Sequence, residues 1–366
     1  MQKKRNMGIE VLRILSMFLV VMMHICTQGG VIDSVEPFTG NYIVAWVVMV
    51  LTYCAVNCYA LISGYVGVET KFSYHRLLVL WLGVAFYTII ITVCFHVLKN
   101  GSVGFMDYIK AITPVTSGQY WYLSAYFAVF MMMPFLNFLL NQLSTRQLNI
   151  LVITVVIVFS VLPTVRHTDP FALGDGYSAL WLMLLYIVGG FLRKSKILEK
   201  YKTTVWICIV GFMLIIAISS KFLIEYVCWK SLGTVAGGGY LVSYISPVIL
   251  LLAIALLGIF VKINFKFYTV VKMISGSTFF VFIIHEHPLI KHQFLSEQFS
   301  KYTLYNPIGM IFAIFGTALA IFGVCVVIDQ IRVIIFKKLN VNMLCKNIVD
   351  KIAELLSGLQ NKRRNS

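Results

Sequence analysis

GIEVLRILSMFLVVMMHICTQ, residues 8–28, is an apolar run about one membrane thickness long, interrupted by three ionisable side chains, Glu10, Arg13 and His24. A helix needs roughly 20 apolar residues to cross the hydrocarbon of a bilayer. Nine further runs of similar character follow, at about 42–65, 77–98, 120–140, 148–165, 177–192, 204–224, 240–261, 274–290 and 308–336. The chain of 366 residues is 60% hydrophobic and 12% charged, with a mean hydropathy of +0.88. A water-soluble domain with a core and a surface does not reach such values. The expected fold is therefore all-α, a polytopic integral membrane bundle of about ten transmembrane helices. The first run follows a basic start as a signal sequence would, but shows no small-residue cleavage site near Cys26–Gly30, and is expected to be retained.

The net charge of +16 would suggest nucleic acid in a soluble protein. Here the bases cluster in every second loop, which is the signature of orientation in a membrane, and no nucleic-acid partner is expected. Lys3, Lys4 and Arg5, Lys71 and Arg76, Arg146, the group Arg193 to Lys202, Lys262, Lys266 and Lys272, and finally Arg332, Lys337 and Lys338 fall on one side. Asp33, Glu36, Asp169 and Asp175 fall on the other. Both termini are thus expected in the cytoplasm, and the bilayer is a partner by composition. Residues 1–338 read as one membrane domain, and 339–366 as an amphipathic, basic cytoplasmic tail with a short interfacial helix. The eight cysteines are scattered without metal-type spacing and read as packing residues.

Ionisable groups at membrane depth are costly and face protein or water rather than lipid. The 11 residues from Arg13 to His24 bring a helix round to within about 20° of the same face and separate the two by about 16 Å. Glu10 stands at the i, i+3 pairing distance from Arg13. Two readings of each remain open. Glu10 and Arg13 either snorkel to the interface as an anchor or organise a passage. His24 is either a packed, hydrogen-bonded histidine or a general base, since an unperturbed imidazole titrates near neutrality.

Several stretches together carry a resemblance. Arg13 with His24, LISGYVGVE (61–69), the basic Lys71–Arg76 loop, YWYLSAYFAVFMMMPFLN (120–137) and GSTFFVFIIHEHPLI (276–290) resemble, in order and spacing, the acyltransferase-3 family of bacterial integral membrane O-acyltransferases. The resemblance spans most of the chain. It implies transfer of an acyl group, usually acetyl, from cytoplasmic acyl-CoA (acetyl-CoA) to a hydroxyl of a surface or lipid-linked glycan, at the bacterial plasma membrane, with no permanently bound cofactor. It also implies an essential histidine at His24, a paired arginine at Arg13 and a phosphate-binding arginine at Arg76. The family often shows a second arginine three residues on, where this chain has Val79. Lys71 and His75 are the neighbouring candidates for donor binding, and a plain orienting role for Arg76 stands beside that one.

His285 and His287 lie about 200° apart on a helix, so they cannot share a ligand unless the helix ends between them, which Pro288 permits. The HEH sequence lacks the i, i+4 histidines of a zinc helix, and no metal is expected. His285 is instead a candidate acceptor-site residue, with Trp121, Tyr122 and Tyr126, whose rings could stack on a sugar or form an interfacial belt. Asn57, Ser63 and Gly64 read first as a close-packing site. The main rival is a transporter or flippase for a glycan, lipid or anion that uses the Arg13–His24 stripe as its pathway. It would favour repeated halves and paired broken helices, which the sequence does not display. A non-catalytic membrane sensor or scaffold is the third class.

Overall fold

The computed structural model describes residues 5–99, 101, 103–264 and 266–364, with side chains described as far as residue 355. Lys3 and Lys4, and the side chains of Leu356, Lys362, Arg363 and Arg364, on which the charge and tail readings drew, lie outside the described residues. Sixteen α-helices follow in order: α1 (Met7–Cys26), α2 (Gly40–Thr52), α3 (Cys54–Gly67), α4 (Tyr74–Leu98), α5 (Phe105–Ile112), α6 (Trp121–Gln142), α7 (Thr145–Val156) and α8 (Leu162–Arg166). Then come α9 (Ala179–Ser195), α10 (Ile197–Lys200), α11 (Thr203–Leu232), α12 (Pro247–Phe260), α13 (Tyr268–His285), α14 (Pro288–Phe294), α15 (Pro307–Lys338) and α16 (Val341–Arg364). Among the described residues there is no strand, and the protein is an all-α polytopic membrane bundle.

Each of the ten expected runs coincides with a helix. Eight are long and apolar enough to cross a bilayer: α1, α2 with α3, α4, α6, α7 with α8, α11, α13 and α15. The other two are shorter, 17 residues in α9 and 14 in α12, and both pack on α3 in the interior of the bundle. Two boundaries differ from the sequence reading. The run expected at 274–290 is α13, which starts at Tyr268 and stops at His285, because Pro288 offers no backbone N–H to continue it. The tail helix is not short but spans Val341–Arg364 and lies along α4, with Val341 and Cys345 buried.

The tightest packing joins α3 to α9, and glycine makes it possible. A Cβ on Gly64 would stand 2.0 Å from the Tyr186 carbonyl oxygen, and one on Gly189 would stand 2.2 Å from the Leu61 carbonyl oxygen. In a membrane there is little hydrophobic drive between helices, so close backbone approach through small residues supplies the association. The packing reading of Gly64 holds. Asn57 likewise serves packing, donating from Nδ2 to the Tyr244 carbonyl (2.8 Å) and accepting from Trp181 Nε1 (3.2 Å).

Buried charges are neutralised within single helices. Arg13 pairs with Glu10 (3.0 Å), Lys221 with Glu225, and Arg332 with Asp329 (2.7 Å), each one turn apart. Tyr42 donates to Glu225 (2.8 Å) and Tyr87 to Asp329 (2.9 Å), so each carboxylate also takes a neutral partner. Arg332, which the charge reading counted among loop bases, is instead buried inside α15 over the Phe280 ring. A pair formed within one helix can insert as a neutral unit.

Candidate active site

One histidine–carboxylate contact at this depth crosses between helices. His24, on the last full turn of α1, reaches the end of α13, where His285 closes the helix and Glu286 follows it. His24 Nδ1 lies 2.9 Å from His285 Nε2 and 3.1 Å from Glu286 Oε1. His285 Nδ1 lies 2.6 Å from the Val281 carbonyl oxygen. A carbonyl only accepts, so His285 carries its proton on Nδ1 and presents a lone pair at Nε2. His24 must then donate from Nδ1 to His285 Nε2, with Glu286 Oε1 beside it as a charge contact outside hydrogen-bond geometry. The neutral His24 ring is left with a bare lone pair at Nε2, which has no hydrogen-bond partner among the described residues.

The local sequence builds this arrangement. Pro288 ends α13, and His287 caps α14 by accepting the Leu289 N–H on its Nδ1 (3.3 Å), which turns the chain so that Glu286 faces α1. Residues after α1 are held beside it: Glu297 N–H donates to the Gln28 carbonyl (3.0 Å) and Phe299 N–H to the Gly29 carbonyl (2.9 Å), across a turn that needs positive φ at Gly30 (+84°). Gln28 Nε2 then donates to Glu286 Oε2 (3.3 Å), and Lys291 Nζ stands 3.5 Å from the same oxygen. Glu286 is thereby a held carboxylate with a fixed orientation.

His24 lines a cavity of about 360 Å³ whose walls include Tyr53, Tyr59, Tyr120, Trp121, Tyr122, Tyr177 and Tyr244. Tyr120 donates to the Ile283 carbonyl (3.1 Å), which fixes the start of α6 against α13. Among the described residues, five buried polar atoms of cavity-lining residues lack a hydrogen-bond partner: Gln28 Oε1, Tyr59 OH, Gln119 Oε1, Tyr122 OH and Glu286 Oε1. Buried polar groups are ordinarily satisfied, so a cluster of open ones along one cavity suits a hydroxyl-rich guest.

The residues singled out from sequence divide. Trp121 and Tyr122 line the cavity with His24. Tyr126 does not; it stacks beneath Tyr122 (centroids 5.9 Å, planes 10° apart). His285 is buried against His24 and does not line the cavity. Arg13 and Glu10 do not line the cavity. Lys71 and Arg76 are exposed beside α4, and His75 contacts Ser73 Oγ at 2.6 Å. Glu286 and Gln28 carried no role in the sequence reading; the signal for Glu286 was a carboxylate inside an apolar run, obscured by the two histidines beside it.

His24, His285 and Glu286 also form, among the described residues, a group that could hold a metal ion. Ligand atoms around a tetrahedral zinc, with bonds of about 2.0–2.1 Å, stand about 3.3 Å apart. The 2.9 Å separation here is a hydrogen bond made by the proton on His24 Nδ1, and Glu286 Oε1 stands 3.1 Å from the same nitrogen as a charge contact. The group fits a proton-holding relay better than a metal centre. A neutral imidazole held in one tautomer, open at Nε2 and backed by a carboxylate, can accept a proton from a bound hydroxyl.

No curated protein and no solved structure matches the chain. The acyltransferase-3 family, described as an acyltransferase domain, matches residues 6–329, which takes in α1, the whole of α13 and most of α15. The chain therefore belongs to the acyltransferase-3 family and is a multi-pass membrane acyltransferase.

Proposed function

We propose that this acyltransferase is an O-acetyltransferase that moves acetyl from cytoplasmic acetyl-CoA to a hydroxyl of a surface polysaccharide or lipid-linked glycan. The observation that carries the reading is the place of His24: its Nδ1 is committed to His285 Nε2 with the Glu286 carboxylate 3.1 Å away, and the ring lines an aromatic cavity. His24 Nε2 takes the proton of the acceptor hydroxyl as its oxygen attacks the thioester carbonyl carbon, and returns it to the departing thiolate. Glu286 holds the ring and stabilises the imidazolium formed between those two steps.

Trp121, Tyr122 and Tyr177 supply faces against which a sugar ring can stack, and the open Gln28 and Gln119 oxygens can accept from its hydroxyls. The cavity lies at the end of the bundle formed by the α1 C-terminus and the α6 N-terminus. The positive-inside pattern supports assigning this end to the outer face of a bacterial plasma membrane, opposite Lys71, His75 and Arg76. In this reading those bases hold the phosphates of the donor, whose flexible arm extends past Arg13 and Glu10 toward His24. The test is transfer of radiolabelled acetyl from acetyl-CoA to an envelope glycan fraction by the purified protein. Label reaching the glycan with intact His24, and not with His24→Ala, is the expected result; equal transfer by both proteins overturns the role given to His24.

A further inference from the structure

Acyl transfer needs more than a base. When the acceptor oxygen adds to the thioester, the carbonyl π pair moves onto oxygen, and this oxyanion needs hydrogen-bond donors that are already in place and shielded from water. Donors serve this purpose best when the protein itself leaves them unused.

Two such donors share the cavity with His24. Tyr59 OH, from α3, and Tyr122 OH, from the first turn of α6, are buried and lack a hydrogen-bond acceptor. Their rings meet edge to face at 6.4 Å. Tyr122 packs on Phe282 (6.0 Å between centroids), and the His24 ring packs on the same phenylalanine (6.4 Å). One aromatic ring thus spaces the base from the phenol. Thr278 directs its hydroxyl to the Ser275 carbonyl (2.9 Å), and its oxygen, which is free to accept, takes no hydrogen bond from Tyr59 OH. The other open polar atoms of the cavity, on Gln28, Gln119 and Glu286, are oxygens that accept. The buried unpartnered atoms of the lining residues therefore separate into acceptors, suited to substrate hydroxyls, and two phenolic donors, suited to a carbonyl oxygen.

Resting on the acyltransferase reading above, we infer that Tyr59 and Tyr122 are the oxyanion hole of the reaction. The acceptor oxygen loses its proton to His24 Nε2 and bonds to the acyl carbon. The carbonyl oxygen, now negative, takes hydrogen bonds from both phenols. Collapse restores the C=O bond and breaks the C–S bond, and the thiolate takes the proton back from His24. Atoms and charge balance without a further reactant.

The test compares the full-length protein in detergent with Tyr59→Phe, Tyr122→Phe and the double variant, using radiolabelled acetyl-CoA and the envelope glycan fraction. Phenylalanine preserves the ring and removes only the donor, so melting temperatures should match the parent. Each single variant is expected to lose kcat by about 10²-fold, the cost of one oxyanion donor, while KM for either substrate moves less than threefold. Affinity for a trifluoromethyl-ketone analogue of acetyl-CoA, which binds as its tetrahedral hydrate, should fall in step with kcat, while affinity for CoA does not.

Parental kcat in both single variants would overturn the inference and make the phenols packing groups. A raised glycan KM at unchanged kcat would overturn it too, and make them acceptor contacts. In both cases the parent still transfers label and the acyltransferase reading survives. A parent that transfers no acyl group from acetyl-, propionyl- or palmitoyl-CoA would remove that reading, and the oxyanion hole with it.

Discussion

Replacing Glu286 with Gln keeps its shape and removes its charge, and it isolates what the carboxylate does for His24. At rest Glu286 Oε1 lies 3.1 Å from His24 Nδ1. When Nε2 accepts a proton, the ring becomes cationic at that same distance. Two unit charges 3.1 Å apart interact by about 5 kcal/mol at an effective dielectric constant of about 20. A glutamine dipole at the same place recovers part of this, and Lys291, 3.5 Å from the second oxygen, already offsets part of the carboxylate charge. A net loss of about 3 kcal/mol in stabilising the imidazolium corresponds to about 10²-fold in rate. Because the charge develops only during reaction, the loss should fall on kcat with KM for acetyl-CoA and glycan nearly unchanged. Glu286→Asp, which restores the charge at a greater reach, should recover part of the rate. The assay is steady-state release of the CoA thiol, with label transfer measured in parallel and a melting curve as the folding control. A Glu286→Gln protein within threefold of parental kcat would refute the account of Glu286 as the electrostatic partner of His24.

Four further outcomes follow from the structure. His285→Ala removes the hydrogen-bond acceptor of the His24 Nδ1 proton while leaving Glu286 beside the ring, so kcat should fall by about tenfold, measured in the same assay and weaker than the effect of His24→Ala. Gly189→Val places side-chain carbon on the Leu61 carbonyl; α3 and α9 should separate, lowering stability by about 1–3 kcal/mol, read as a lower midpoint in thermal unfolding in detergent. Breaking the buried Lys221–Glu225 pair with Lys221→Met should destabilise by about 3–5 kcal/mol, whereas adding Glu225→Leu should restore most of the loss, seen as recovery of the folded fraction by size-exclusion chromatography. Dialysis against EDTA should leave transfer unchanged, since the proton on His24 Nδ1 fills the space between His285 and Glu286; loss of activity restored by zinc would make the three residues a metal centre.

Most of the architecture was legible because the bilayer imposes a simple rule on sequence. Every backbone polar group at depth must be satisfied within the chain segment, so runs of apolar residues become helices with little ambiguity. Arg13 and His24 were equally visible, since ionisable groups inside such a run must face protein or water. The end of α13 was harder: hydropathy runs past His285 to Ile290, and only the interruption of backbone hydrogen bonding at Pro288 decides that the helix stops. Arg332 misled the charge count because its neutralising partner, Asp329, stands one turn away, and a base paired within the helix does not have to remain in a loop.

The site itself was divided between the two levels of description. Composition and spacing determined the all-α membrane bundle, the polar stripe on α1 and the aromatic character of the α6 start, because each depends on residues close together in sequence. Tertiary structure alone decided that Glu286 and His285, more than 250 positions from His24, meet its Nδ1, that Tyr59 and Tyr122 face one cavity while Tyr126 stacks below it, and that the open lone pair is on Nε2. The physical reason is that a tautomer, an unpaired donor and a cavity are properties of several helices packed together, and no single run of sequence contains them.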